Sequence, residues 1–221
     1  MRYYYLMKKI FLSIIIIGIF GVGCINNTVV QTQPPSLNNT SPAATSTSPS
    51  KPVSKPQLTE PISNALPRIT KKTFGLYVTP KNSPVQPEKF TGFHTGVDFE
   101  TTAQEQNTDV GVFATCDGKL LLKKYASGYG GVAVQSCALD GKGVTIIYGH
   151  LRLSSITPNI GDSLKSGQKI AVLGTGYSSE TNGERKHLHF GIHIGATVNI
   201  LGYIQKQSDL RGWLDPAHYL K

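Results

Sequence analysis

Three cysteines occur in the 221 residues and none form a CxxC pair, so a zinc-thiolate knuckle has no framework here. Neither HExxH nor Gly-x-Ser-x-Gly appears, which removes the signatures of zincin peptidases and α/β-hydrolases. No pair of carboxylic acids stands out for glycoside cleavage. Lys and Arg never run beyond two in a row, which argues against a dedicated nucleic-acid binder, although the chain carries a net charge of +9. Charged residues are sparse at 16%, yet 39% of the chain is apolar, too much for a wholly disordered protein. Internal repeats are absent and helical periodicity is scarce.

The charge is unevenly spread. Residues 1–24 hold Arg2, Lys8 and Lys9 with no acid, residues 25–66 hold Lys51, Lys55 and Glu60, and the remaining +5 belongs to residues 67–221. Ile10 to Val22 is apolar except for Ser13, Gly18 and Gly21. This is the layout of an export signal, and it is short of the ~17 to 20 apolar residues that a membrane-crossing helix needs. Gly21-Val22-Gly23-Cys24 resembles the lipobox of bacterial lipoproteins, with Gly21 where Leu is usual. That resemblance implies cleavage before Cys24 and lipidation of its sulfur; a plain signal, cleaved or retained as an anchor, is the alternative. Either way the chain is expected outside the cytoplasm, at the outer face of a membrane or in the periplasm and wall zone. Residues 25–66, rich in Ser, Thr, Pro, Asn and Gln, read as a disordered tether. As a flexible coil they would span ~35 to 40 Å, and up to ~130 Å if held extended.

Residues 67–221 read as one all-β domain of mainly antiparallel strands. Strands are expected at Thr73–Thr79, Gly96–Glu100, Gly111–Thr115, Lys119–Tyr125, Val132–Ser136, Val144–His150, Lys169–Leu173 and His187–Ile194, with a minor helix at Asp215–Leu220. Ser127 to Gly131 reads as a hairpin turn. Cys116 and Cys137 lie at similar distances from that turn, so a Cys116–Cys137 disulfide is one expectation and two buried thiols the other.

The histidines carry the chemistry. Along a strand His187 and His189 share one face while Leu188 and Phe190 take the other. His94 and Asp98 share a face if the chain between them is extended. Two imidazoles and one carboxylate suit zinc and leave a fourth position open, the stoichiometry of a catalytic rather than a structural site. His150 closes an apolar run, and a histidine there can take a proton from a water that a metal has acidified.

Together Phe93-His94-Thr95-Gly96-Val97-Asp98-Phe99, Tyr148-Gly149-His150-Leu151 and His187-Leu188-His189-Phe190 resemble the lysostaphin-type (LytM-like) zinc metalloendopeptidases of bacterial cell walls. Thr73-Phe74-Gly75, Tyr129-Gly130-Gly131 and Asp215-Pro216 extend the likeness from about Thr73 to Leu220. The resemblance implies a barrel-sandwich hybrid fold, Zn2+ bound by His94, Asp98 and His189, and His150 and His187 as catalytic base and oxyanion stabiliser. It further implies a monomer that hydrolyses peptide bonds of peptidoglycan stems or cross-bridges. Degenerate relatives of this family act instead as non-catalytic adaptors that activate other wall hydrolases, the rival reading. One departure is the stretch Tyr177–Lys186, which lengthens the loop ahead of the His-x-His strand. His193 and His218 read as structural or solvated, and Tyr125 and Tyr129 as packing or exposed residues, with the lining of a peptide groove near the hairpin as the alternative. Gly96 reads as either a close approach or a turn, and Gly174-Thr175-Gly176 as a turn.

Overall fold

The computed structural model describes residues 58–221. The export segment, Cys24 and the tether up to residue 57 lie outside the described residues. Twelve strands follow in order: β1 (Tyr77–Val78), β2 (Gly92–His94), β3 (Gly96–Glu100), β4 (Gly111–Phe113), β5 (Gly118–Ala126), β6 (Gly130–Leu139), β7 (Lys142–Leu151), β8 (Ser163–Leu164), β9 (Lys169–Val172), β10 (His187–Ile194), β11 (Tyr203–Ile204) and β12 (Trp213–Leu214). All described strand pairs are antiparallel. The domain is therefore an all-β fold of antiparallel strands, and its helical content is confined to short 3-10 turns.

The main sheet runs β12-β10-β7-β6-β5-β8, with β3 paired to the same edge of β10 as β12. A three-stranded sheet, β1-β2-β11, and a two-stranded one, β4-β9, flank it. Alternation along β10 sends Leu188, Phe190 and Ile192 into the principal core beside Phe99, Ile146 and Tyr148. A smaller cluster on the opposite face gathers Tyr129, Val132, Val134, Ile147 and Trp213. The β5–β6 hairpin turns at Ser127–Tyr129, where Gly128 takes φ +87° and the Tyr129 amide donates to the Ala126 carbonyl. Cys116, just ahead of β5, forms a disulfide with Cys137 on β6, with Cα atoms 6.1 Å apart.

Three expectations need adjustment. The strand expected over Thr73–Thr79 shrinks to Tyr77–Val78, because Gly75 turns at φ +73° and gives its amide to the His94 carbonyl. The packed unit takes in residues assigned above to the tether. Leu58 and Ile62 are buried in the principal core, and the Leu58 amide donates to the Tyr219 carbonyl at 2.7 Å. The C-terminal helix is a single 3-10 turn, Pro216–His218, capped by the Asp215 side chain on the Ala217 amide.

Candidate metal centre

Five side chains from four strands meet below one cavity. The β3–β10 register sets Asp98 opposite His189 and Glu100 opposite His187, while β7 places Gly149 on the other flank of His189. Having no Cβ, Gly149 leaves room for the Tyr129 ring, which a methyl there would overlap. His94 arrives from the small sheet. The chain breaks at Thr95, whose hydroxyl donates to the Leu201 carbonyl at 2.6 Å, so His94 and Asp98 belong to different sheets rather than to one extended strand.

Their ligand atoms nevertheless converge. His94 Nε2 lies 3.0 Å from His189 Nδ1, and Asp98 Oδ1 lies 3.3 Å from each of these nitrogens. All three residues are buried. A tetrahedral zinc with bonds of about 2.0–2.2 Å separates its ligand atoms by about 3.3–3.6 Å; the two edges from Asp98 match that size and the His94–His189 edge is about 0.3 Å short of it. The environment also asks for a cation, since Asp98 Oδ1 is a buried carboxylate oxygen with no hydrogen-bond donor. His94 Nδ1 donates to the Thr73 carbonyl at 3.1 Å, which leaves Nε2 as the nitrogen facing the centre. Burial alone would raise the Asp98 pKa, but the imidazoles of His187 and His94 outweigh it and hold the carboxyl well below its usual range. Burial lowers His189 to about 4 even though Asp98 opposes the shift. An acid that stays ionised and an imidazole that stays neutral are the forms in which these groups bind metals.

The other two histidines stand beside the triangle, their ring centroids 4.2 Å apart. His150, next to last in β7, lies in the left-handed region at φ +60°, an uncommon conformation for a non-glycine residue, and its Nδ1 is buried without a partner. Burial, reinforced by His187, keeps the His150 pKa well below the ordinary histidine value. His187 gives Nδ1–H to the Arg185 carbonyl at 2.9 Å, and its Nε2 sits 3.3 Å from Asp98 Oδ2.

Several neighbours carry no local signal in the sequence. Arg185 is buried and donates to Asp98 Oδ2 at 2.9 Å. Lys72 and Glu88 form a buried ion pair at 2.6 Å, and Lys72 Nζ also donates to the Tyr203 hydroxyl at 2.9 Å. Tyr203 packs on His94 and Phe90. Tyr129, read above as packing or exposed, is buried with its ring 5.3 Å from His189. The cavity over the histidines measures about 300 Å³ and is walled by Phe90, Tyr129, Leu201, Gly202 and Gln205. Across its rim Lys89 reaches Glu184 at 3.3 Å, so the lengthened loop closes one side. His193 packs on Trp213, His218 is exposed and Tyr125 is exposed with its hydroxyl on Asn182, all away from the triangle. Gly96 marks a close approach, lying against the backbone of Phe190 and Gly191.

The family model of peptidase family M23 matches residues 92–200, a stretch that contains all five residues. No curated protein matches the sequence. Among solved structures the chain is similar to LytU, at 26% identity over 67% of this chain and 81% of that one, with a TM-score of 0.44. It is similar to the catalytic domain of the antimicrobial peptidase lysostaphin from Staphylococcus simulans, at 24% identity over 66% and 87% of the two chains and a TM-score of 0.43. A third similarity is to a chain of the SpoIIIAH–SpoIIQ complex, at 18% identity over 74% and 99%, with a TM-score of 0.48.

Proposed function

We propose, from the premise that residues 92–200 are a LytM-like domain of peptidase family M23, that this protein is a zinc-dependent endopeptidase of the bacterial cell wall. Its substrate is then the peptide of peptidoglycan, in stems or cross-bridges. The observation that carries the reading is the triangle of His94 Nε2, Asp98 Oδ1 and His189 Nδ1, with edges of 3.0 to 3.3 Å, at the floor of a cavity. These three residues would hold the ion. Zinc, when bound, polarises a carbonyl oxygen and lowers the pKa of water toward ~7.

The chain's own groups supply the proton work. His150 is neutral near pH 7 because burial disfavours its cation, so one of its ring nitrogens offers a lone pair to the proton of an attacking water. His187 is oriented by the Arg185 carbonyl, and when Nε2 carries a proton it can donate to the oxyanion of the tetrahedral intermediate. Asp98 stays ionised among the imidazoles and would be the one anionic ligand of the ion. Phe90, Tyr129 and Leu201 wall the cavity and limit water around the reacting amide.

The same proposal covers delivery. Residues 1–24 direct export, Cys24 carries a lipid anchor, and the tether lets the monomeric domain reach the wall from the outer face of a membrane. Cys24→Ser would then abolish labelled-palmitate incorporation; undiminished labelling would sink that part. For the enzymatic claim, purified protein is assayed for zinc by elemental analysis and incubated with peptidoglycan, and the released muropeptides are read by mass. About one zinc per chain and new peptide termini are expected, and His150→Ala should keep the metal while slowing cleavage ~10²- to 10⁴-fold. A wild-type protein that takes up no zinc, or equal cleavage by His150→Ala, would defeat it.

A further inference from the structure

We propose that Arg185 is a positioning residue for the metal centre, fixing which oxygen of Asp98 faces the ion. The inference rests on the zinc reading above. Arg185 lies two residues ahead of β10, at the end of the lengthened loop, and only 7% of it is exposed. Its Nη2 donates to Asp98 Oδ2 at 2.9 Å and also to Glu100 Oε1, and its Nε contacts both Glu100 oxygens at 2.9 and 3.1 Å. Asp98 and Glu100 are two apart on β3, so both carboxylates leave the same face of the strand and the planar guanidinium bridges them.

The consequence is geometric. A free aspartate offers two equivalent oxygens and can swing between one- and two-oxygen binding. Here Oδ2 is engaged by Arg185, and Oδ1 alone remains without a donor, 3.3 Å from His94 Nε2 and from His189 Nδ1. The same residue acts through its backbone, because its carbonyl accepts Nδ1–H of His187. One arginine therefore orients a ligand through its side chain and a catalytic histidine through its main chain. Glu100 holds the guanidinium in return and offsets its charge. Outer partners of metal ligands usually govern affinity about 10- to 100-fold.

The test compares wild type, Arg185→Met and Arg185→Lys for zinc affinity, by competition with a chromogenic chelator, and for the visible spectrum of the cobalt(II)-substituted protein. Arg185→Met should bind zinc at least 10-fold more weakly and alter the cobalt bands, which report ligand number and geometry. Arg185→Lys keeps a cation between the two acids, and with it the fold, but lacks the planar fork, so an intermediate loss is expected. Melting of the metal-free proteins checks that each variant is folded. A folded variant of either kind that binds zinc within 3-fold of wild type, with an unchanged cobalt spectrum, overturns the proposal. If wild type itself fails to bind zinc, the failure belongs to the metal centre and not to Arg185.

Discussion

Gly96→Ala is the sharpest perturbation of the site that leaves every polar group in place. A Cβ at Gly96 would stand 2.8 Å from the Phe190 carbonyl carbon and 3.1 Å from Gly191 Cα, with the Phe190 oxygen nearer still. These are backbone atoms of β10 and cannot rotate aside. Restoring an ordinary 3.4 Å to the carbonyl carbon alone pushes β3 away by about 0.6 Å. Asp98 is two residues along and directly opposite His189, so most of that shift reaches the ligand triangle. Metal sites tolerate displacements of about 0.2 Å, so zinc affinity should fall by 10-fold or more, equivalent to about 1.4 kcal/mol or more of lost zinc stabilisation at fixed free metal. The metal-free variant should itself lose about 1–3 kcal/mol from overpacking, a drop of roughly 2–12 °C in melting temperature. Calorimetric melts with and without saturating zinc separate the two effects. A variant that melts with the wild type and gains as much from zinc would show that the approach of β3 to β10 does not govern the centre.

Other expectations follow from the same structure. His150 must be neutral to accept a proton and its pKa is held well below 6.5, so the acid limb of kcat/KM should fall below pH 6.5; a limb at or above that value refutes the assignment. His189 is lowered to about 4, so between there and about 6.5 the unfolded chain binds the extra proton. Stability of the chelator-treated protein should therefore be full above pH 6.5 and lower at pH 5 by about 2 kcal/mol from His189, with a further loss in the same direction from His150, read as a urea midpoint, and a midpoint rising toward acid would contradict this. Reducing Cys116–Cys137, which are 21 residues apart, should cost about 3 kcal/mol, and an unaltered midpoint under reductant would count against a stabilising bridge. Leu58→Ala should cost about 2–5 kcal/mol if residues 58–66 belong to the packed unit, whereas a tether residue would leave the melt unmoved.

Much of this architecture is written in local pattern. The period-2 alternation of His187 to Ile194 and the run Gly96 to Glu100 define β10 and β3 with the bounds expected from sequence. The glycine-rich turn likewise marks the β5–β6 hairpin. What escaped is set by distant partners. His94 and Asp98 would share a face only if the chain between them were extended, and the break at Thr95 that prevents this is tied to a hydrogen bond to Leu201, 106 residues away. Two-residue strands such as β11 and β12 have too few positions to show a period. Leu58 and Ile62 sit in a polar, proline-rich stretch, and only the gap they fill beside Leu220 and Phe99 makes them core. Arg185 had no local signal, because a single residue cannot announce that it will meet two acids some 85 positions earlier.

His94 comes from the three-stranded sheet, while Asp98 and His189 come from the main one. An ion shared by the three would rivet the two sheets across the seam at Thr95. Chelation should then slacken more than catalysis. Amide protons of β1, β2 and β11 would exchange faster once the rivet is drawn, ahead of those in β6 and β7, so metal supply would also set how long the domain resists proteolysis.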